Sequence, residues 1–309
     1  MSHNEAKTPE CSEREFELEM LIAGRTRDIG DFELRRLLPA PKRRRVGPFT
    51  FFDHFGPVTL PAGKGMEVRP HPHINLATVT YLFEGAVEHR DSVGSLRTIT
   101  PGAINWMTAG KGIVHSERTP EDLLAQPKTL HGIQLWLALP KEAEEIEPAF
   151  RHYPKASLPI VERDGLRLVV LIGAAYGAES PVETVSPTFY LDAHLAANAT
   201  LRLEERYVER AVYVVEGSIS FGDEEFGVGK MLVMKPGGCP EITALGNARV
   251  AVLGGEPLDG ERHLWWNFVS SSKERLEEAK QDWLKGPGAS ERFPLVPGDS
   301  EEFIPLPDA

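Results

Sequence analysis

Turns, more than any long periodic segment, govern what this sequence can become: 28 glycines and 25 prolines interrupt it at short intervals. Between the interruptions lie brief runs rich in Val, Ile, Thr, Tyr and Phe, the composition that suits a pleated, half-buried strand. Such runs begin at Ala77 (ATVTYLF), Gly132 (GIQLWLAL), Leu166 (LRLVVLI), Thr188 (TFYLDA), Arg210 (RAVYVVE), Lys230 (KMLVM) and Arg249 (RVAVLGG). The pattern predicts an all-β chain built as a sandwich or barrel. One helix stands out, SSKERLEEAKQDWLKG. Ser271 or Ser272 can cap it, Leu276, Ala279, Trp283 and Leu284 share a face, and Gly286 with Pro287 ends it.

A chain of 309 residues exceeds what one compact core usually holds, so two domains are expected. The polar, proline-bearing stretch from Lys141 to Pro159 marks the boundary, giving a domain over 1–145 and another over 155–309 that ends in the helix. The two halves look related. YLFEGAVEH from Tyr81 and YVVEGSISF from Tyr213 both read as strand, Glu-Gly turn, strand, and each is followed by a Pro-Gly turn at Pro101-Gly102 and Pro236-Gly237. A duplicated β-barrel explains this, and alignment of the halves sets Leu203, Glu205, Ile242 and Ala244 where the first copy has chemistry-bearing residues.

Net charge is −12, which repels polyphosphate and argues against general nucleic-acid binding. The basic run from Lys42 to Arg45 reads as a solvated or ion-paired loop within that acidic chain. Two distant cysteines, Cys11 and Cys239, give no disulfide framework, and the polar first residues resemble no signal peptide. A cytoplasmic protein without a membrane span is the expectation.

The chemistry concentrates in RPHPHINLATVTYLFEG and PGAINWMTAGKGIVHSER. His71 pairs with His73 and His115 with Glu117, each at spacing i and i+2. On a strand, residues two apart point to one face, so each pair can present two donors to one point inside a barrel. Pro72 stiffens the backbone between the first two. One isolated His-x-His is more often structural than ligating; a second pair in a β context favours a metal. Three imidazoles and a carboxylate suit a single divalent transition metal, whether Fe(II), Ni(II), Cu(II), Co(II), Mn(II) or Zn(II), of which Fe(II) is the expected occupant only on the family resemblance given next. His54, His89, His131, His152, His194 and His263 have no such pairing and read as structural or exposed.

Taken together, RRRVGPFTFFDHFGP, HPHINLATVTYLFEGAVEHRDS, PGAINWMTAGKGIVHSER, HGIQLWLALP and RFPLVPGDSEEFIPLP resemble the pirin family of the cupin superfamily over nearly the whole chain. The resemblance implies two cupin, jelly-roll-like β-barrels, with metal only in the N-terminal one and held by His71, His73, His115 and Glu117. Where pirins commonly follow His-Pro-His with Arg-Gly-Phe-Glu, this chain has Ile74-Asn75-Leu76-Ala77, a departure that bears on substrate choice. The resemblance further implies a dioxygenase of the quercetin 2,3-dioxygenase type, taking a flat flavonol-like substrate and O2, with Glu117 as ligand and base. Phe52, Trp106 and Met107 are candidates for an apolar slot, and Asp53 for orienting a ligand histidine. The competing implication is a non-enzymatic, redox-sensitive transcription cofactor that uses the same four residues and binds a regulatory protein partner.

Overall fold

The computed structural model describes residues 18–28, 30 and 32–307. Almost every element is a β-strand, and two cupin barrels account for them. Among the described residues, one compact unit is drawn from the segments 26–34, 50–155 and 258–307, and the other from 18–25, 35–49 and 156–257. These boundaries differ from 1–145 and 155–309 because both chain ends are exchanged. Strand Leu18–Ala23 pairs with Lys230–Met234, an edge that would otherwise expose unpaired backbone groups, and so joins the second barrel.

In the first barrel, a four-stranded antiparallel sheet runs in the order Glu67–His73, Ile113–Arg118, Val87–Asp91, Leu96–Ile99. Its larger partner sheet is centred on Ile104–Thr108, Leu76–Glu84, Lys128–Ala138 and Phe49–Leu60. Strand Leu76–Glu84 is buried on both faces along most of its length, so its Thr78 and Thr80 lie inside together with its apolar residues. The second barrel repeats the plan. Its small sheet runs Thr200–Arg202, Glu241–Ala244, Ser218–Phe221, Glu224–Gly227, and its large sheet centres on Lys230–Met234, Glu209–Glu216, Ala248–Gly255 and Thr188–Leu195. Numbered along the chain, both small sheets have the order 1-4-2-3 and both large centres 3-2-4-1.

The shared Glu-Gly turns rest on backbone geometry. Gly85 and Gly217 adopt φ of 89° and 73°, and a Cβ on either would come within 2.5 Å of Thr129 O or 2.4 Å of Asn247 O. What fills the barrels differs. Leu203, Ile242 and Ala244 of the second barrel are buried within an apolar cluster with Leu201, Val212 and Val250. Glu205 is half-buried.

The helix Lys273–Leu284 is capped by Ser272, whose Oγ accepts from Arg275 N at 3.1 Å. It belongs to the first barrel, contrary to its expected place in the C-terminal domain. Its Leu276, Ala279 and Trp283 need an apolar partner and find one in Ile74, Val114, Phe268 and Phe293. Leu284, expected on that face, is 64% exposed. The buried Arg262 donates to Leu139 O and pairs with Glu144 at 2.8 Å, which fixes the start of this C-terminal segment on the same barrel. The basic run is ion-paired as expected, with Arg43 3.1 Å from Glu209. No helix among the described residues is long and apolar enough to cross a membrane. Cys239 is buried, and Cys11 lies outside the described residues.

Candidate metal centre

Strands Glu67–His73 and Ile113–Arg118 pair antiparallel, with His71 directly across from His115. The i, i+2 rule then carries His73 and Glu117 to the same inner face, although the register shifts between His115 and Glu117. His71, His73, His115 and Glu117 are 6%, 1%, 1% and 6% exposed. One ligand nitrogen from each of the three histidines lies within 4.8 Å of the others. Ring centroids are 4.3 to 5.0 Å apart.

The hydrogen bonds behind the rings decide which nitrogen is available. His71 Nδ1 donates to Arg69 O at 2.9 Å and His73 Nδ1 to Asn267 O at 3.0 Å, since a carbonyl can only accept. His115 Nδ1 lies 3.4 Å from His89 Nδ1, while its Nε2 is buried with no partner. A buried imidazole nitrogen without a partner costs free energy unless a ligand satisfies it. Three Nε2 atoms directed into one buried space fit a divalent transition metal. Burial lowers all three histidines below their ordinary pKa, His71 to about 4, and proximity to His71 lowers His73 and His115 further. They are therefore neutral at physiological pH, the form that binds metal.

Glu117 shares the cavity but is not in the mutually close set of ligand atoms. Thr80 Oγ1 donates to its Oε1 at 3.1 Å, and Gln134 provides a second hydrogen bond. Burial raises its pKa, a shift that these hydrogen bonds and the nearby His89 only partly oppose.

The cavity holds about 140 Å³ and has aromatic walls. Phe51 and Trp136 stack at 3.9 Å with an 11° interplanar angle, and Phe32, Phe55 and Met66 contribute further apolar surface. Of the residues expected to line a slot, none does. Phe52 points to the opposite face of its strand from Phe51 and Asp53, Trp106 donates its Nε1–H to Thr108 Oγ1, and Met107 lies in the core beside Leu76. Asp53 does line the cavity, but the orienting contacts of the three rings end on Arg69 O, Asn267 O and His89. His89, read as structural or exposed, is buried and faces His115. Polar Thr80 and Gln134, set in otherwise apolar strands, were the legible signs of an inner polar face.

Residues 31–137 match the Pirin family and residues 190–288 the Pirin C-terminal cupin domain. The chain belongs to the pirin family. Among relatives, a pirin-like protein of Caulobacter vibrioides is 47% identical over 294 residues, covering 94% of this chain and all of that one. A pirin-like protein of Solanum lycopersicum is 33% identical, over 88% of this chain and 92% of its own length. Among solved structures, a quercetin 2,3-dioxygenase from Acinetobacter baumannii superposes with a TM-score of 0.86 at 35% identity, covering 94% of this chain and 95% of that one.

Proposed function

We propose that this pirin is a metal-dependent dioxygenase that opens the central ring of flavonols such as quercetin with O2, releasing carbon monoxide. The observation that carries the reading is the juxtaposition of three buried, neutral histidines with a buried carboxylate under aromatic walls. His71, His73, His115 and Glu117 would hold the metal, which when bound supplies Lewis acidity toward the flavonol 3-oxygen and redox access to O2. Glu117 accepts the 3-hydroxyl proton. Thr80 and Gln134 aim its carboxylate for that transfer. Phe51 and Trp136 offer flat apolar surface to the rings and exclude water.

A regulatory reading has one observation in its favour. The cavity, at 140 Å³, is smaller than the roughly 300 Å³ and upward of sites that enclose drug-sized ligands. Catalysis on a three-ring substrate therefore requires a wall to yield, and the flexible thioether of Met66 is suited to that. Anaerobic addition of quercetin to Fe(II)-loaded protein, followed by O2, separates the readings. A shifted flavonol band that bleaches with carbon monoxide release supports the dioxygenase. No shift and no bleaching, with Fe(II), Ni(II), Co(II) or Cu(II) in place, overturns it in favour of a metal-dependent regulatory protein.

A further inference from the structure

Behind His115 lies a chain of buried groups that the proposed reaction does not use. His115 Nδ1 faces His89 Nδ1 at 3.4 Å, and His89 Nε2 lies 2.9 Å from Asp91 Oδ2. Phe150 stacks on the His89 ring at 4.3 Å. Asp91 is fully buried, and its Oδ1 accepts from Val93 N at 3.1 Å and Ser95 N at 2.9 Å, so the carboxylate cannot turn.

A carboxylate only accepts, so His89 donates to Asp91 from Nε2. A ligating His115 needs its lone pair at Nε2 and its hydrogen at Nδ1, so His89 Nδ1 is the acceptor it faces. Two hydrogens cannot share one nitrogen–nitrogen contact, so His115 donates from Nδ1 and keeps the Nε2 lone pair directed into the cavity. His71 and His73 receive the same tautomer from backbone carbonyls, which have no second state. His115 alone depends on a side chain that has two.

We propose that His89 and Asp91 form a positioning pair that sets the tautomer of His115 and thereby decides whether the third imidazole can bind metal. The inference rests on reading His71, His73 and His115 as metal ligands and is independent of the substrate.

Asp91→Asn tests it. The amide oxygen still accepts from Val93 N and Ser95 N, so its NH2 faces His89 Nε2 and donates. His89 must then carry its hydrogen on Nδ1, His115 must accept there, and the His115 hydrogen moves to Nε2, where it blocks a metal. The expected result is a 10- to 100-fold loss of Zn(II) affinity, read by competition with a chromophoric chelator. In the metal-free protein, long-range 1H–15N spectra of labelled histidines should show His115 changing from Nδ1–H to Nε2–H while His71 and His73 keep theirs. A second comparison leaves the Asp91 turn intact. His89→Gln can accept from His115 with its oxygen and donate to Asp91 with its nitrogen, so it keeps Zn(II) affinity. His89→Leu cannot, and loses it. Wild-type affinity in both Asp91→Asn and His89→Leu, with His115 still protonated at Nδ1, overturns the proposal. His115→Ala separates the two levels: if it binds Zn(II) like wild type, the ligand reading itself falls, whereas loss there with retention in Asp91→Asn removes only the tautomer control.

Discussion

His115 is fully enclosed, close to three other imidazoles and without a partner at Nε2. His115→Ala should lose at least tenfold in metal affinity while the second barrel stays folded, checked by metal content and near-ultraviolet circular dichroism. Glu117→Gln should retain metal on the three histidines yet lose about 10² to 10⁴ in quercetin turnover, because an amide cannot take the 3-hydroxyl proton; stopped-flow absorbance with metal content measured in parallel checks this. The i, i+2 spacing made His71, His73, His115 and Glu117 legible in the sequence because strand periodicity is a local property. His89 and Asp91 obey the same spacing. Their role stayed hidden because it arises across the ladder, where Asp91 pairs with His115 and His89 with Glu117.

Among the elements, the helix Lys273–Leu284 shows how support for the site is delivered from far along the chain. Its Trp283 is 1% exposed, meets Phe293 and Phe303 edge-on and donates Nε1–H to Ile304 O at 2.9 Å. The cluster it completes includes Ile74 and Val114, the chain neighbours of His73 and His115. Trp283→Ala should cost about 3–5 kcal/mol, measured by thermal or urea unfolding, and should also loosen metal retention. In the second barrel the strand pair Thr188–Leu195 and Ala248–Gly255 encloses Asp192, whose carboxylate accepts from Arg249 Nε at 2.7 Å. Burial by itself would raise the Asp192 pKa, but hydrogen bonds and charge from Arg249 and His194 hold it well below the ordinary range. A depressed folded-state pKa contributes stability above the unfolded value near 4, and this is lost as pH falls through the folded value. Asp192→Asn should therefore cost about 3 kcal/mol at pH 7 and flatten the acid limb of a pH series of unfolding midpoints.

At the scale of the whole molecule, two barrels with one strand order have been given different interiors, one carrying three histidines and the other leucine, isoleucine and alanine. Titration with Zn(II) should saturate at one ion per chain. At a free concentration of 100 Kd the ion should add about 2.7 kcal/mol of stability, reversed by a chelator. A second tight equivalent would contradict the apolar filling of the second barrel.

Adjacent residues determined much of this protein. Glycine and proline placement fixed the turns, β-branched runs fixed the strands, the two Glu-Gly turns disclosed the duplication, and two pairs of inward side chains disclosed four residues that line one cavity, all through backbone stereochemistry that acts over a few residues. Tertiary structure decided what depends on segments distant in the chain. Asn267 orients His73 across 194 residues, the cavity walls are Phe51 and Trp136 and not Phe52 and Trp106, and the chain ends are exchanged between barrels. Strand parity tells which side chains point inward together, but only packing tells what they meet there.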